Sequence, residues 1–327
     1  MAAGVLLALR RAFDNSAHVD LRGQVVLITG SSRGLGLALA REFARRGCRL
    51  VLCARDASEL ERARSDIARL GVDVLAVPCD VADREQVQDV VQRATLHFGQ
   101  VNVLVANAGV ISVGPFADQT IEDFEYAMAV MFWGCVYSVY AVLPQMRARR
   151  SGKIAIVTSI GGKVSVPHLM PYSSAKFAAT GFAEGLRAEL KPDGISVTTI
   201  VPGLMRTGSH VNAEFKGRHQ AEYAWFSLGA TLPFTSLSAD DAAARIVHAL
   251  AHGEAEVVLG WQADLVARLH GLMPGFATDV LGLVNRLLPG PGGVGTQGVR
   301  GKASRSAVTE SPLETLGRRA ARDLNQP

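Results

Sequence analysis

Tyr172 and Lys176 stand four residues apart in the run Tyr172-Ser173-Ser174-Ala175-Lys176. On a helix that spacing puts both side chains on one face, about one turn apart. A free phenol has a pKa of about 10 and a free lysine ammonium one of about 10.4. An ammonium held beside a phenol favours the phenolate and pulls the tyrosine toward neutrality. Such a pair could give a proton to an oxygen, or take one from it, near neutral pH. A tyrosine and a lysine at this spacing also arise by chance on solvated helix faces, so the surrounding elements must decide.

Those elements alternate. Val25–Thr29 is a short β-branched apolar run, the pattern of a strand buried on both faces. Gly30-Ser31-Ser32-Arg33-Gly34-Leu35-Gly36 follows, then an amphipathic segment to Arg46 and a stop at Gly47. A glycine-rich turn between a buried strand and a helix suits a dinucleotide. The backbone can approach a pyrophosphate, and the helix N-terminus offers it free N–H groups. A purely structural turn is the weaker reading.

A second strand, Arg49–Ala54, runs into Arg55-Asp56. The adenosine ribose would lie at its end, where an acidic residue suits a free 2′-hydroxyl and an arginine a 2′-phosphate. Arg33 and Arg55 could both reach that phosphate, and arginine forks suit it. The same pattern predicts helices over 57–70 and 83–98, and strands over 72–78 and 101–106. The strand at 72–78 closes on Cys79-Asp80-Val81 and that at 101–106 on Asn107-Ala108-Gly109. A long helical region covers 121–149, and a fifth strand, 153–158, ends at Ser159. The Tyr172 helix runs to Leu190. A sixth strand, 196–201, ends in Pro202-Gly203-Leu204-Met205-Arg206-Thr207. A helix at Ala239–His252 and a strand at Glu256–Leu259 complete a Rossmann-type α/β fold, a doubly wound parallel sheet of about seven strands. Ligands in such sheets sit at the carboxyl ends of the strands.

The formal net charge is +4, and six Lys/Arg against three Asp/Glu from Gly298 onward supply +3 of it. The body is therefore nearly neutral, which argues against nucleic acid as a partner. Cys48, Cys53, Cys79 and Cys135 form no metal-binding spacing and read as core thiols in a reducing compartment. The apolar stretch 1–9 precedes Arg10-Arg11 instead of following basic residues, unlike a signal peptide, and no run approaches a membrane span. A cytoplasmic protein is expected. The divisions expected are a leader at 1–22, a dinucleotide-binding and catalytic domain at 23–261, an amphipathic helical extension at 262–290 and a disordered tail at 291–327, dispensable beyond Gly298. Packing of the extension on the body or on a partner subunit is favoured over membrane attachment.

Taken together, these residues resemble the short-chain dehydrogenase/reductase family over roughly 21–259. The cofactor turn TGxxxGxG is Thr29-Gly30-Ser31-Ser32-Arg33-Gly34-Leu35-Gly36, and the family's NNAG stands as Ala106-Asn107-Ala108-Gly109. YxxxK is Tyr172 to Lys176, with Ser159 thirteen residues before Tyr172, and Pro202-Gly203 with Thr207 matches the motif after the sixth strand. The resemblance implies that Tyr172 gives or takes the proton. Lys176 would lower its pKa and bind the nicotinamide ribose, and Ser159 would hydrogen-bond the substrate oxygen. Asp80 and Val81 would face the adenine, and 202–207 the nicotinamide. Thr29 to Gly36, Asn107, Ala108 and Gly109 would complete the cofactor site. The cofactor expected is NADP(H), on the strength of Arg33 and Arg55. The reaction expected interconverts a hydrophobic alcohol and its ketone or aldehyde, in a homo-oligomer built through the long helices.

One position departs from the family. Its helix asparagine, in NxxG, is here Met131 of Met131-Phe132-Trp133-Gly134. A thioether is a weak acceptor and cannot hold the implied relay water as an amide would. A nucleotide-binding scaffold of the same fold with little turnover is therefore the alternative. The loop at 161–171, apolar at Val164, Val166, Leu169 and Met170, suggests the hydrophobic pocket, and His168 within it could touch a substrate oxygen. A lid is expected over 204–225, to exclude water.

Overall fold

The structure, a computed structural model, describes residues 19–231, 236–306 and 315–326. The expected leader lies mostly outside these residues, although Leu21 is buried and the Val19 N–H donates to the Ala251 carbonyl at 3.2 Å.

Seven parallel strands form the central sheet: Val25–Thr29 (β1), Arg49–Ala54 (β2), Val74–Pro78 (β3), Val103–Ala106 (β4), Gly152–Val157 (β5), Ile195–Pro202 (β6) and Glu256–Leu259 (β7). Their spatial order is β7-β6-β5-β4-β1-β2-β3. The order reverses between β1 and β4, which opens the crevice where such sheets bind ligands. All of β1 and β4 is buried, as a strand covered by helices on both faces must be.

Helices Gly34–Arg45 (α1), Ala57–Ala68 (α2), Arg84–Phe98 (α3), Ile121–Ala148 (α4), Met170–Leu190 (α5), His219–Thr231 (α6) and Ala239–His252 (α7) follow. Leu37, Leu60 and Ile246 of α1, α2 and α7 join one buried cluster; Val90, Val139 and Ala179 of α3, α4 and α5 join a second. Local chemistry sets the helix starts. Asp83 caps α3 by accepting from the Glu85 and Gln86 N–H groups, and Asp56 caps α2 by accepting from Glu59. Trp261–Leu272 (α8) and Pro274–Asn285 (α9) form the extension, with Trp261, Leu272, Phe276 and Leu287 exposed around them.

Three expectations change. The long helix is interrupted by a π turn at Ala129–Trp133. By length and composition α4 is also apolar enough to cross a membrane, contrary to the expectation from sequence; half of its most apolar window is buried inside the protein. Instead of a disordered tail, Val299–Arg300 pairs antiparallel with Glu214–Phe215, and Thr315–Asp323 (α10) is helical. Gly301, Ala321 and Leu324 are buried. Polar composition misled here because most partners of the tail are backbone groups far away in sequence.

Candidate active site

Gly30 and Gly36 of the turn after β1 have no room for a side chain. Gly30 has φ +64°, and a Cβ there would lie 2.8 Å from the Ala108 Cα. A Cβ on Gly36 would lie 2.1 Å from the Gly30 carbonyl oxygen. The turn is thereby pressed against the end of β4. Thr29 locks the two together: its hydroxyl accepts from the N–H groups of Asn107 and Ala108 at 2.9 and 3.1 Å. The Asn107 amide donates to the carbonyls of Thr29 and Gly30 at 3.0 and 3.1 Å. Thr29 and Asn107 thus shape the crevice, and Thr29 itself does not line it.

The crevice has a volume of about 650 Å³. The turn residues Gly30, Ser32, Arg33, Gly34, Leu35 and Gly36 form one wall. Arg55, Asp80 and Val81 lie at one end, Asn107, Ala108 and Gly109 along the floor, and Ser159, Tyr172 and Lys176 at the other end with Pro202, Gly203 and Thr207. The structure therefore brings together all the site residues read from the sequence, with Thr29 just behind the wall.

The arginines are not free. The Arg33 guanidinium donates to both Glu59 carboxylate oxygens, at 3.0 and 3.2 Å, and the Ser32 hydroxyl donates to the same carboxylate at 3.3 Å. Arg55 bonds the Tyr126 hydroxyl and lies 5.8 Å above its ring. Sequence reasoning missed Glu59, a buried carboxylate at the ribose end. Its signal was its position in the first turn of α2, directly after the Arg55-Asp56 strand end.

At the reacting end, burial pushes the Tyr172 phenol above its ordinary pKa, and a hydrogen bond with the Ser159 hydroxyl pulls it back. Burial lowers Lys176 to about 8, opposed by the nearby Cys135 thiol. The Lys176 Nζ donates to the Val157 carbonyl at 2.8 Å and sits 5.7 Å from the Tyr172 ring centroid. Desolvation, not the expected pull of the ammonium, sets the direction, and Tyr172 rests as a neutral phenol. Gly162 lets the turn after Ser159 press on α5, since a Cβ there would lie 2.7 Å from the Lys176 carbonyl oxygen. Met131 is fully buried in the π turn, and its sulfur and the Lys176 Nζ both lie within 4 Å of where a Gly109 Cβ would stand.

Of the loop at 161–171 only Pro171 lines the crevice; Val164, Val166, Leu169 and Met170 do not. Val164 and Leu169 are buried, and Leu169 and Val166 belong to a third cluster with Val113, Phe215, Tyr223 and Phe226. His168 is buried too, with its Nδ1 2.8 Å from the Glu222 carboxylate, to which the Trp225 indole donates at 2.7 Å. It therefore clamps α6 to the turn before Tyr172 and is absent from the cleft lining. The expected lid over 204–225 is short strands, a 3₁₀ turn at Ser209–Val211 and the first half of α6. The apolar lining beside Tyr172 is Val110, Ile111, Pro171 and Ala213; Asn212, Glu214, Arg300 and Lys302 make the remaining wall polar.

All four cysteines are free and buried, and burial pushes Cys48 up to about 12 and Cys135 up to about 11. Neither of these two is a reactive thiolate near neutral pH on these grounds.

A crevice at the β1/β4 switch point, a bare glycine turn facing it and a Ser-Tyr-Lys group at its far end define a dinucleotide-dependent oxidoreductase. Residues 24–216 match the family described as short chain dehydrogenase, and the chain belongs to it. Among similar proteins, a mosquito dehydrogenase/reductase SDR family protein 7-like, from Anopheles gambiae, is 36% identical over 260 residues, 78% of this chain and 80% of that one. The L-sorbose reductase of Gluconobacter frateurii, solved with NADPH and L-sorbose, is 27% identical with a TM-score of 0.67, covering 75% of this chain and 97% of that one. A short chain dehydrogenase/reductase of Burkholderia phymatum, solved with NAD, is 25% identical with a TM-score of 0.73, covering 79% and 96%.

Proposed function

We propose that the protein is an NADP(H)-dependent oxidoreductase that interconverts an alcohol and its ketone or aldehyde, with an apolar substrate body beside the reacting carbon. The observation that carries this reading is the meeting of Ser159, Tyr172 and Lys176 in the same crevice as the glycine turn. A nicotinamide bound there would supply or accept a hydride, and the protein would position it and handle the proton. Tyr172, neutral and hydrogen-bonded to Ser159, gives its proton to the substrate oxygen in reduction and recovers it in oxidation. Ser159 orients that oxygen. Lys176, held by the Val157 carbonyl, brings a positive charge beside the phenol that favours its ionisation once the proton has left.

Arg33 in the glycine turn after β1 and Arg55 at the end of β2 support NADP(H) over NAD(H), with Glu59 opposing them. The two solved relatives named above carry one cofactor each. Exposed Trp133, Tyr140 and Phe177 on α4 and α5 support a homo-oligomer, and four buried free thiols fit a cytoplasmic location. A weakly active nucleotide-binding scaffold is the second reading, and buried Met131 beside Lys176 favours it.

The test is a screen of apolar ketones and alcohols following NADPH absorbance, with Tyr172→Phe beside the natural protein. Turnover should fall by about 10²–10⁴-fold in the variant while cofactor affinity holds. Equal turnover in the two proteins would place the proton donor elsewhere. No turnover in the natural protein across the screen, with cofactor bound, would favour the scaffold.

A further inference from the structure

The last residues of the chain cross the cofactor crevice. Leu324 is anchored in the core on one side of the sheet, and its carbonyl accepts from the Gly34 N–H at 3.0 Å. Asn325, at φ +56°, ends α10 in the left-handed conformation that asparagine tolerates at helix C-termini. Its side-chain amide donates to the Ser32 and Glu59 carbonyls at 2.8 and 3.0 Å, and its oxygen accepts from Arg62 at 3.0 Å. Gln326 is nearly buried. Its amide donates to the Thr207 carbonyl at 2.9 Å, and its oxygen accepts from the Asn212 amide at 2.7 Å.

These partners lie on opposite rims. Ser32 and Gly34 follow β1, while Thr207 and Asn212 follow β6, and β4 and β5 stand between them in the sheet. Three strand spacings separate β1 from β6, about 14 Å. Three consecutive residues therefore tie both sides of the crevice together across the ends of the intervening strands.

A segment that crosses a crevice either fills it or roofs it. The crevice remains continuous from Arg55 and Asp80 to Ser159 and Tyr172 with Gln326 in its wall. Among the described residues the tail takes only the Gly34 N–H of the first turn of α1. A first turn leaves several N–H groups without an intrahelical partner, so the anion-binding end of α1 is not used up. Both points favour a roof.

We propose that Leu324–Gln326 is a strap over the cofactor crevice, in which Gln326 is a positioning residue that holds the Thr207 rim against the glycine turn. The strap lifts to admit the dinucleotide and retards its release once bound. This rests on the reading that the crevice holds a nicotinamide dinucleotide.

Three proteins test it: the full chain, the full chain with Asn325→Ala and Gln326→Ala together, and a chain stopped after Asp323. NADPH and NADH are titrated into each by fluorescence, release is followed by stopped flow, and melting is recorded without cofactor. Both variants should release NADPH on the order of tenfold faster, with weaker affinity, because several hydrogen bonds that hold the roof are gone. A merely structural tail would lower the melting temperature and leave the release rate of the folded protein alone. Release and affinity within twofold of the full chain in the double variant overturn the strap. Tighter binding in either variant overturns it too, since the tail would then compete with the cofactor. If the full chain binds neither NADPH nor NADH, the dinucleotide reading itself fails and the strap with it.

Discussion

Glu59 lines the end of the crevice where a 2′-phosphate would lie if the cofactor is NADP(H), and it holds Arg33 there. An arginine beside a 2′-phosphate gains a charge-assisted, forked contact, but Arg33 already gives its Nη1 to both oxygens of a carboxylate. Glu59→Gln should loosen that grip and remove a negative charge from the ribose end. The ratio of NADH to NADPH dissociation constants should then rise by on the order of tenfold. An unchanged or lower ratio would show that Arg33 does not meet the phosphate. Tyr172 and Lys176 make a second claim at the same scale. The phenol is raised and so keeps its proton through neutral pH. The lysine, lowered to about 8, is charged below that pH and neutral above it. For carbonyl reduction, kcat/KM should be level near pH 7 and fall as pH rises through about 8. A profile that stays level to pH 9.5, roughly 1.5 units past that value, would detach the rate from this lysine. Serine, tyrosine and lysine were legible because their spacing survives as a motif. Glu59 was not, because a single glutamate in a helical first turn reads equally well as an ordinary response to the helix dipole.

Among the elements, the strands and helices of the βαβ frame were legible from their periods, and several ends match to the residue. Val25–Thr29, Arg49–Ala54, Ala239–His252 and Glu256–Leu259 are cases where a buried apolar run or an amphipathic stripe meets a strong breaker or cap. The π turn in α4 left no such trace, since one slipped hydrogen bond changes no residue type. It falls at the position where the family carries asparagine, and such turns recur at functional sites. Met131→Asn should raise turnover near neutral pH by giving a relay water an amide to hold. It should also lower stability by about 1–3 kcal/mol to the extent that the amide stays unpartnered. Steady-state kinetics with a urea titration separate the two effects. Unchanged or slower turnover in a folded variant would leave Met131 as packing alone. The apolar loop at 161–171 shows the opposite error. Leu169 and Val166 cover the cluster under α6 instead of the cleft, whose apolar lining beside Tyr172 takes Pro171 of the loop with Val110, Ile111 and Ala213.

At the scale of the whole molecule, Trp133, stacked on Tyr137, and Tyr140 project from α4 into solvent. If two copies meet through this helix and α5, Trp133→Lys with Tyr140→Lys should halve the mass seen by light scattering. A mass unaltered by the substitutions would remove that face from the interface. The tail was the least legible part of the chain. Its few apolar residues and mixed charges describe a solvated segment, yet Asn325 reaches the Ser32 carbonyl across 293 positions of sequence. Side-chain amides bonded to backbone groups leave no pattern in composition, because any carbonyl can serve. That separation bears on how the protein comes into being. Contacts between distant residues carry the largest loop-closure cost and tend to form late. The parallel sheet can assemble around β1 and β4 while the final residues are still loose. In refolding, the recovery of secondary structure should therefore run ahead of the recovery of slow nucleotide release. During synthesis the rim at Ser32 and Gly34 must wait for residues 324–326 before the crevice is complete.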